Sequence, residues 1–328
     1  MAEKRLKVSA SPHIFARQNL KFVMYAVILA LMPALFGSIY FYGLRALYLV
    51  ILSVAAAVVA EAVCQWAYKR PITITDGSAI ITGILLAYNL PPGVPYWMPV
   101  VGSVFAIVVA KQFFGGLGYN FINPALAGRA FLMASWPVAM THDWLPPAGG
   151  TISGLDGITR ATPLNLIKAA DVDPSVIERL TSLEGIRALF FGNVGGCLGE
   201  TSALLLLIGG IALLILKIID YRITLSYLLT VVVLSLILPI KGHPPYNILF
   251  QLFSGGLFLG AFFMATDMVT TPVTKRGRWI FGIGCGIFTM LIRTFGGYPE
   301  GVSYSILFMN VWTPFIDRYT MGRRFGTR

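Results

Sequence analysis

Charge is what this chain has least of. Only 12% of its 328 residues are Asp, Glu, Lys or Arg, while 56% are hydrophobic, so it cannot cover a water-facing surface and must be solvated mainly by lipid. Histidine is nearly missing as well: His13, His142 and His243 are scattered without metal-ligand spacing. The three cysteines, Cys64, Cys197 and Cys285, lie far apart. Without a Cys-x-x-Cys pair or a His-rich neighbourhood, no metal or iron–sulfur site within the chain is expected. The basic N-terminus (Lys4, Arg5, Lys7, Arg17, Lys21) runs into an apolar segment too long for a signal peptide and without a small-residue cleavage site, so it is expected to be retained.

What the chain does have is long apolar sequence, with a mean hydropathy of +0.76. Charge-free runs cover Phe22 to Leu44 (23 residues), Gly77 to Ala110 (34) and Ile223 to Ile240 (18), against the roughly 20 residues that span a bilayer. The net charge of +11 does not point to nucleic acid, because no basic face with interleaved aromatics appears on a soluble-looking segment. Its basic residues sit in short clusters between apolar segments, the pattern of membrane orientation.

These features predict an all-α polytopic membrane protein with about ten transmembrane helices, near 22–42, 46–67, 77–90, 96–112, 122–136, 200–217, 222–240, 247–270, 278–294 and 301–317. The divisions are a first transmembrane half (1–136), an extracytoplasmic loop (137–199) and a second transmembrane half (200–328). Lys4 to Lys21, Lys69, Arg70, Lys111, Lys217, Arg222, Lys275 to Arg278 and Arg318 to Arg328 fall on one side, which is then cytoplasmic together with both termini. Arg45, Lys241 and Arg293 fall at outer ends, against the trend. Trp97, Trp136, Trp144 and Trp312 stand where an interfacial belt would put them.

An internal repeat is visible at an offset of 181 residues: Phe114-Gly115-Gly116 recurs as Phe295-Gly296-Gly297, and Pro91 as Pro272. A repeat unit of five spans forces the second copy upside down, giving two inverted five-helix halves. In each half the third segment ends in Gly, Pro and polar residues (Tyr88 to Pro92; Thr266 to Pro272), so both third segments are expected to be broken. Asp76 and Asp267 stand at their mouths and are candidates for an ion path; the alternative is that they cap half-helices. Glu61, near the inner end of the second span, reads as a snorkelling or paired acid.

The most informative stretch is Asp156-Gly157-Ile158-Thr159-Arg160-Ala161-Thr162-Pro163-Leu164 in the outer loop. Asp156, Gly157, Thr159, Ala161 and Thr162 resemble the flavinylation motif shared by the Rnf D subunit and the B subunit of the sodium-pumping NADH:quinone oxidoreductase. In that family the last threonine carries FMN covalently through a phosphoester, and the matching residue is Thr162. A phosphoester needs an oxygen nucleophile, the small Ala161 leaves room for a flavin transferase, and Pro163 biases Thr162 toward extended backbone. Arg160 replaces the usual glycine. On residues alone, a helix N-terminus capped by Thr159 or Thr162 is the other reading.

Ser11-Pro12-His13, Thr75-Asp76-Gly77, Asn123 to Arg129 and Ala265 to Pro272 also resemble segments of the Rnf D subunit, so the likeness runs through the chain. It favours Rnf over the quinone-linked pump, whose B subunit has a longer N-terminal extension. The resemblance implies a membrane electron relay in a complex that moves electrons between ferredoxin and NAD⁺ while translocating Na⁺ or H⁺. Its partners would be the other Rnf subunits (A, B, C, E, G), the flavin transferase and the lipid bilayer. A second, non-covalent flavin such as riboflavin would sit toward the cytoplasm. Arg129, inside an apolar span, is expected to face the FMN phosphate or a loop carbonyl, with helix-end snorkelling as the alternative. Two other functions stay open: an inverted-repeat solute channel of urea-channel type, and the B subunit of the quinone-linked pump.

Overall fold

The structure is a computed structural model that describes residues 19–142, 144–145, 162–168, 174–192, 194–238, 248–298 and 300–322. Among them the ordered elements are all helical. The first half holds α1 (Leu20–Tyr42), α2 (Leu44–Ala67), α3 (Ser78–Tyr88), α4 (Trp97–Ile107, continued by a π-turn over Val108–Gln112) and α5 (Pro124–Ser135). Four short helices follow: α6 (Pro137–His142), α7 (Pro163–Lys168), α8 (Pro174–Thr181) and α9 (Leu183–Phe191). The second half holds α10 (Ala203–Ile215), α11 (Tyr221–Ile237), α12 (Ile248–Phe253), α13 (Leu257–Leu259, continued by a π-turn over Gly260–Met264), α14 (Lys275–Phe295) and α15 (Val302–Thr320). By length and composition α1, α2 and α14 suffice to cross a membrane, and the chain is a polytopic all-α membrane protein.

Polar caps start these helices at places the sequence marks. Asn19, Ser202, Asp220 and Thr274 each accept a backbone N–H at the start of α1, α10, α11 and α14, removing orphan donors that lipid cannot satisfy. Asn123 does the same for α5, with Pro124 in the first helical position where its missing N–H costs nothing.

The third segments are short. α3 has 11 residues and is about 16 Å long, half of the ~30 Å hydrocarbon core. The segment expected over 247–270 is not one helix. It breaks at Ser254-Gly255-Gly256, where Gly255 takes a φ of +66° that disfavours any side chain. Likewise the stretch expected as a polar loop is partly helical, carrying α6 to α9.

Packing follows the same order in both halves. α2 lies on α3 and α4, and α4 on α5; α11 lies on the Gly260–Met264 π-turn and α14, and α14 on α15; α1 packs on α10. Small residues set these distances. A Cβ on Gly209 of α10 would sit 1.9 Å from the Ala30 carbonyl oxygen of α1, so the two helices touch backbone to backbone, as small-residue interfaces in lipid allow. The offset of 181 residues reappears in hydrogen bonds: Arg129 binds the Asn89 side chain, and Asn310, 181 positions after Arg129, binds the carbonyl of Thr270, 181 after Asn89.

Connections that the charge pattern puts on one side are tied together. Arg70 donates to the Gly115 carbonyl and Lys21 to Thr75, while Asp317 accepts from the Val273 amide and Arg278 donates to Asp220. Partial burial pushes the Asp220 carboxyl up, but the Arg222 amide and the guanidiniums of Arg278 and Arg222 outweigh it and hold the group below the ordinary aspartate value of 3.8. A depressed carboxyl stabilises the fold above the unfolded value and loses that contribution as pH falls through the folded one. Arg278→Ala should therefore lower the thermal midpoint of the purified chain by about 2 °C or less at pH 7, and the gap should close as the pH falls below 3.8. Differential scanning fluorimetry at the two ends of that range checks it.

Candidate functional site

Arg129 of α5 is buried, and burying a guanidinium is tolerable only when its donors are filled. Its Nη1 donates to Asn89 Oδ1 at 2.8 Å and to Ser303 Oγ at 2.7 Å, and its Nη2 to Glu300 Oε2 at 2.5 Å. Glu200 Oε1 lies 3.9 Å from Nη1. One side chain thus joins the end of α3, the turn before α10 and the start of α15. Arg129 neither snorkels nor binds a loop carbonyl: its position in mid-helix points it inward, where side chains from the other half meet it.

Glu300, Arg129 and Ser303 line a cleft together with Trp144, Asn165, Tyr298 and Tyr304. Trp144 is only 5% exposed, with its indole N–H on the Thr141 carbonyl at 2.6 Å, so it walls this cleft and does not belong to an interfacial belt. Thr162 adjoins it. The Thr162 hydroxyl accepts from the amide of Asn165 at 3.3 Å, opening α7 as the capping alternative expects. Thr162 is 4% exposed. Asp156, Gly157, Thr159, Arg160 and Ala161 lie outside the described residues.

α7 is fixed to the second half. Lys168 Nζ donates to the carbonyls of Ile292, Gly296 and Tyr298 at 2.6–2.9 Å, and Leu164 and Ile167 pack with Phe250, Leu180 and Leu189. The segment that follows Thr162 is therefore anchored beside the cleft.

The acids at the third segments are local caps. Asp76 Oδ1 accepts from the Ser78 amide and hydroxyl at 2.8 and 2.7 Å, and Asp267 from the Val269 amide and the Thr270 hydroxyl. Asp267 also lines a larger cleft with Lys111, Asn120, Asn123 and Thr266. Within it, Asn120 Oδ1 is buried without a hydrogen-bond partner among the described residues. Glu61 is a paired acid: Lys111 Nζ and Gln112 Nε2 both donate to it at 2.9 Å.

Sequence reading missed three groups. Glu200 and Glu300 gave no signal because an isolated acid beside a span reads as a loop residue. Arg293, expected at an outer end, is buried; its Nη1 and Nη2 bind the carbonyls of Gln251 and Ser254 at 2.6 and 2.9 Å, where the break after α12 frees them. Only the Gly-Gly pair at 255–256 hinted at this.

Arg129→Leu should strand Glu300 as an unpaired buried carboxylate and destabilise the chain by about 3–5 kcal/mol. The double variant Arg129→Leu/Glu300→Leu should regain most of that loss. Denaturant unfolding of the detergent-solubilised variants, followed by tryptophan fluorescence, measures both.

Comparisons with known proteins agree along the whole length. The model of the NQR2, RnfD, RnfE family matches residues 7–326. The D subunit of the Na⁺-translocating ferredoxin:NAD⁺ oxidoreductase complex of Acetobacterium woodii is 51% identical, over 99% of this chain and 97% of its own. The D subunit of the proton-translocating ferredoxin:NAD⁺ oxidoreductase complex of Clostridium ljungdahlii is 44% identical over the full length of both. The D subunit of the ion-translocating oxidoreductase complex of Stutzerimonas stutzeri is 41% identical over 94% of this chain and 93% of its own. With an arginine-centred cleft beside Thr162 and a near full-length match, the chain belongs to the NQR2, RnfD, RnfE family.

Proposed function

We propose that the chain is the membrane electron-relay subunit of an ion-translocating ferredoxin:NAD⁺ oxidoreductase complex, carrying FMN as a phosphoester on Thr162. The observation that carries this reading is the place of Thr162, the motif threonine, at the start of α7, whose Asn165 lines the aromatic cleft. The family match and the D-subunit relatives favour it over a solute channel and over the quinone-linked B subunit.

The cleft residues fit a flavin. Trp144, Tyr298 and Tyr304 offer flat aromatic walls, Asn165 an amide for ring edges, and Arg129 a fixed positive charge. Bound there, FMN supplies one- and two-electron transfer. The chain's own part is to hold and tune: Thr162 provides the ester oxygen, Lys168 fixes the helix behind it, and the walls keep water out. Arg129 lies in a dry site where its charge acts strongly on the cleft.

The positive-inside pattern supports an extracytoplasmic face for Thr162, where a flavin transferase of this family would reach it, with both termini cytoplasmic. The two halves, matched at the offset of 181 residues, are read as inverted repeats. The other Rnf subunits (A, B, C, E, G) would supply the remaining centres.

The larger cleft suits a second, non-covalent flavin such as riboflavin on the cytoplasmic side. Asn120, whose Oδ1 is an acceptor without a partner among the described residues, is one of its lining residues. Asp76 and Asp267 remain candidates for the ion path.

The purified chain, made in cells that supply the transferase, should give a fluorescent flavin band after SDS electrophoresis. Thr162→Ala should abolish it, whereas a dark wild-type band beside a flavinylated control would reject the assignment. Flavin released by denaturation without ester cleavage should fall several-fold in Asn120→Ala, with the covalent band unchanged.

A further inference from the structure

Below the aromatic cleft one buried acid has no donor. Glu200 is 7% exposed, and neither of its carboxyl oxygens has a hydrogen-bond partner among the described residues. The guanidinium that could serve it is committed elsewhere: Arg129 gives Nη2 to Glu300 and Nη1 to Asn89 and Ser303, leaving Glu200 Oε1 at 3.9 Å. Arg293 of α14 spends its Nη1 and Nη2 on Gln251 and Ser254, and its Nε, buried without a partner among the described residues, makes no hydrogen bond to Glu200. Tyr42 of α1 donates to the Gly196 carbonyl at 3.2 Å, and the Cys197 thiol to that of Asn89 at 3.4 Å. Gly256 closes the remaining side, since a Cβ there would lie 2.7 Å from Glu200 Oε1.

An ionised carboxylate without donors is expensive to bury, and the cost rises when a second one is close. Oxygens of Glu200 and Glu300 and the sulfur of Cys197 lie within 4.8 Å of one another. Arg129 contacts Glu300 far more closely, so Glu300 is the ionised member. We propose that Glu200 is a buried proton-binding site: it stays protonated in the folded chain beside the ionised Glu300. The pair is joined through Glu300 and Arg129 to the walls of the cleft. A change of charge in that cleft would then act on a proton held two side chains away. That role rests on the electron-relay reading, but the proton site itself does not.

The test uses the full chain in lipid nanodiscs, prepared without the flavin transferase and without Na⁺ at neutral pH. Infrared spectroscopy should find the C=O stretch of a protonated carboxyl group, shifted down in D₂O and lost in Glu200→Gln. Cys197→Ser should keep it. Because the amide replaces a neutral acid, Glu200→Gln should leave the thermal midpoint unchanged. Absence of the band in the wild type, its persistence in Glu200→Gln, or a marked loss of stability in that variant would overturn the proposal. So would stabilisation by NaCl over choline chloride that only the wild type shows, which would make the occupant a sodium ion.

Discussion

The buried Arg129–Glu300 ion pair is the constraint around which the chain is arranged. Its two members lie on opposite halves of the sequence, and its other hydrogen bonds reach Asn89 at the end of α3 and Ser303 in α15. A guanidinium cannot be left in lipid or in a dry core with open donors. The elements that bring those partners must therefore converge on α5. This fixes the broken third segment, the turn carrying Glu200 and the start of α15 in one place, and it makes the floor of the cleft beside Thr162.

A second regularity joins Arg45 and Arg293, two of the cations that defy the positive-inside trend, with Lys168 of the loop. Arg45 donates to the carbonyls of Pro92, Gly93 and Val94, Arg293 to those of Gln251 and Ser254, and Lys168 to those of Ile292, Gly296 and Tyr298. Each stands where a helix has ended or broken and left backbone oxygens without partners. At membrane depth such oxygens need a donor from the protein, and a cation also suits the negative end of a helix dipole. These residues complete helix ends, so they carry no information about topology.

Much of the fold was legible because its signals are local. Apolar length and the Pro91-Pro92 break are written in consecutive residues, and most of the expected apolar segments carry helices among the described residues. The segment over 247–270 was expected to end in a break at Thr266 to Pro272, and the earlier break at Ser254 to Gly256 was not foreseen, because it depends on two glycines and on a distant arginine to satisfy the carbonyls. Trp144 was misplaced for the same reason: an aromatic near a span end reads as interfacial until Tyr298, Tyr304 and Asn165 are known to close over it.

The sequence alone settled what kind of solvent the chain lives in, that it is helical, and which threonine stands in the motif, since lipid solvation and a motif depend on composition and on adjacent residues. Only the tertiary structure decided that Arg129 meets Glu300 across 171 positions, that Arg293 is buried, and that Glu200 is left without a donor. Those facts depend on which charges come within a few ångströms once water is removed. Distance in space, unlike the order of residues, is set by the packing of the two halves.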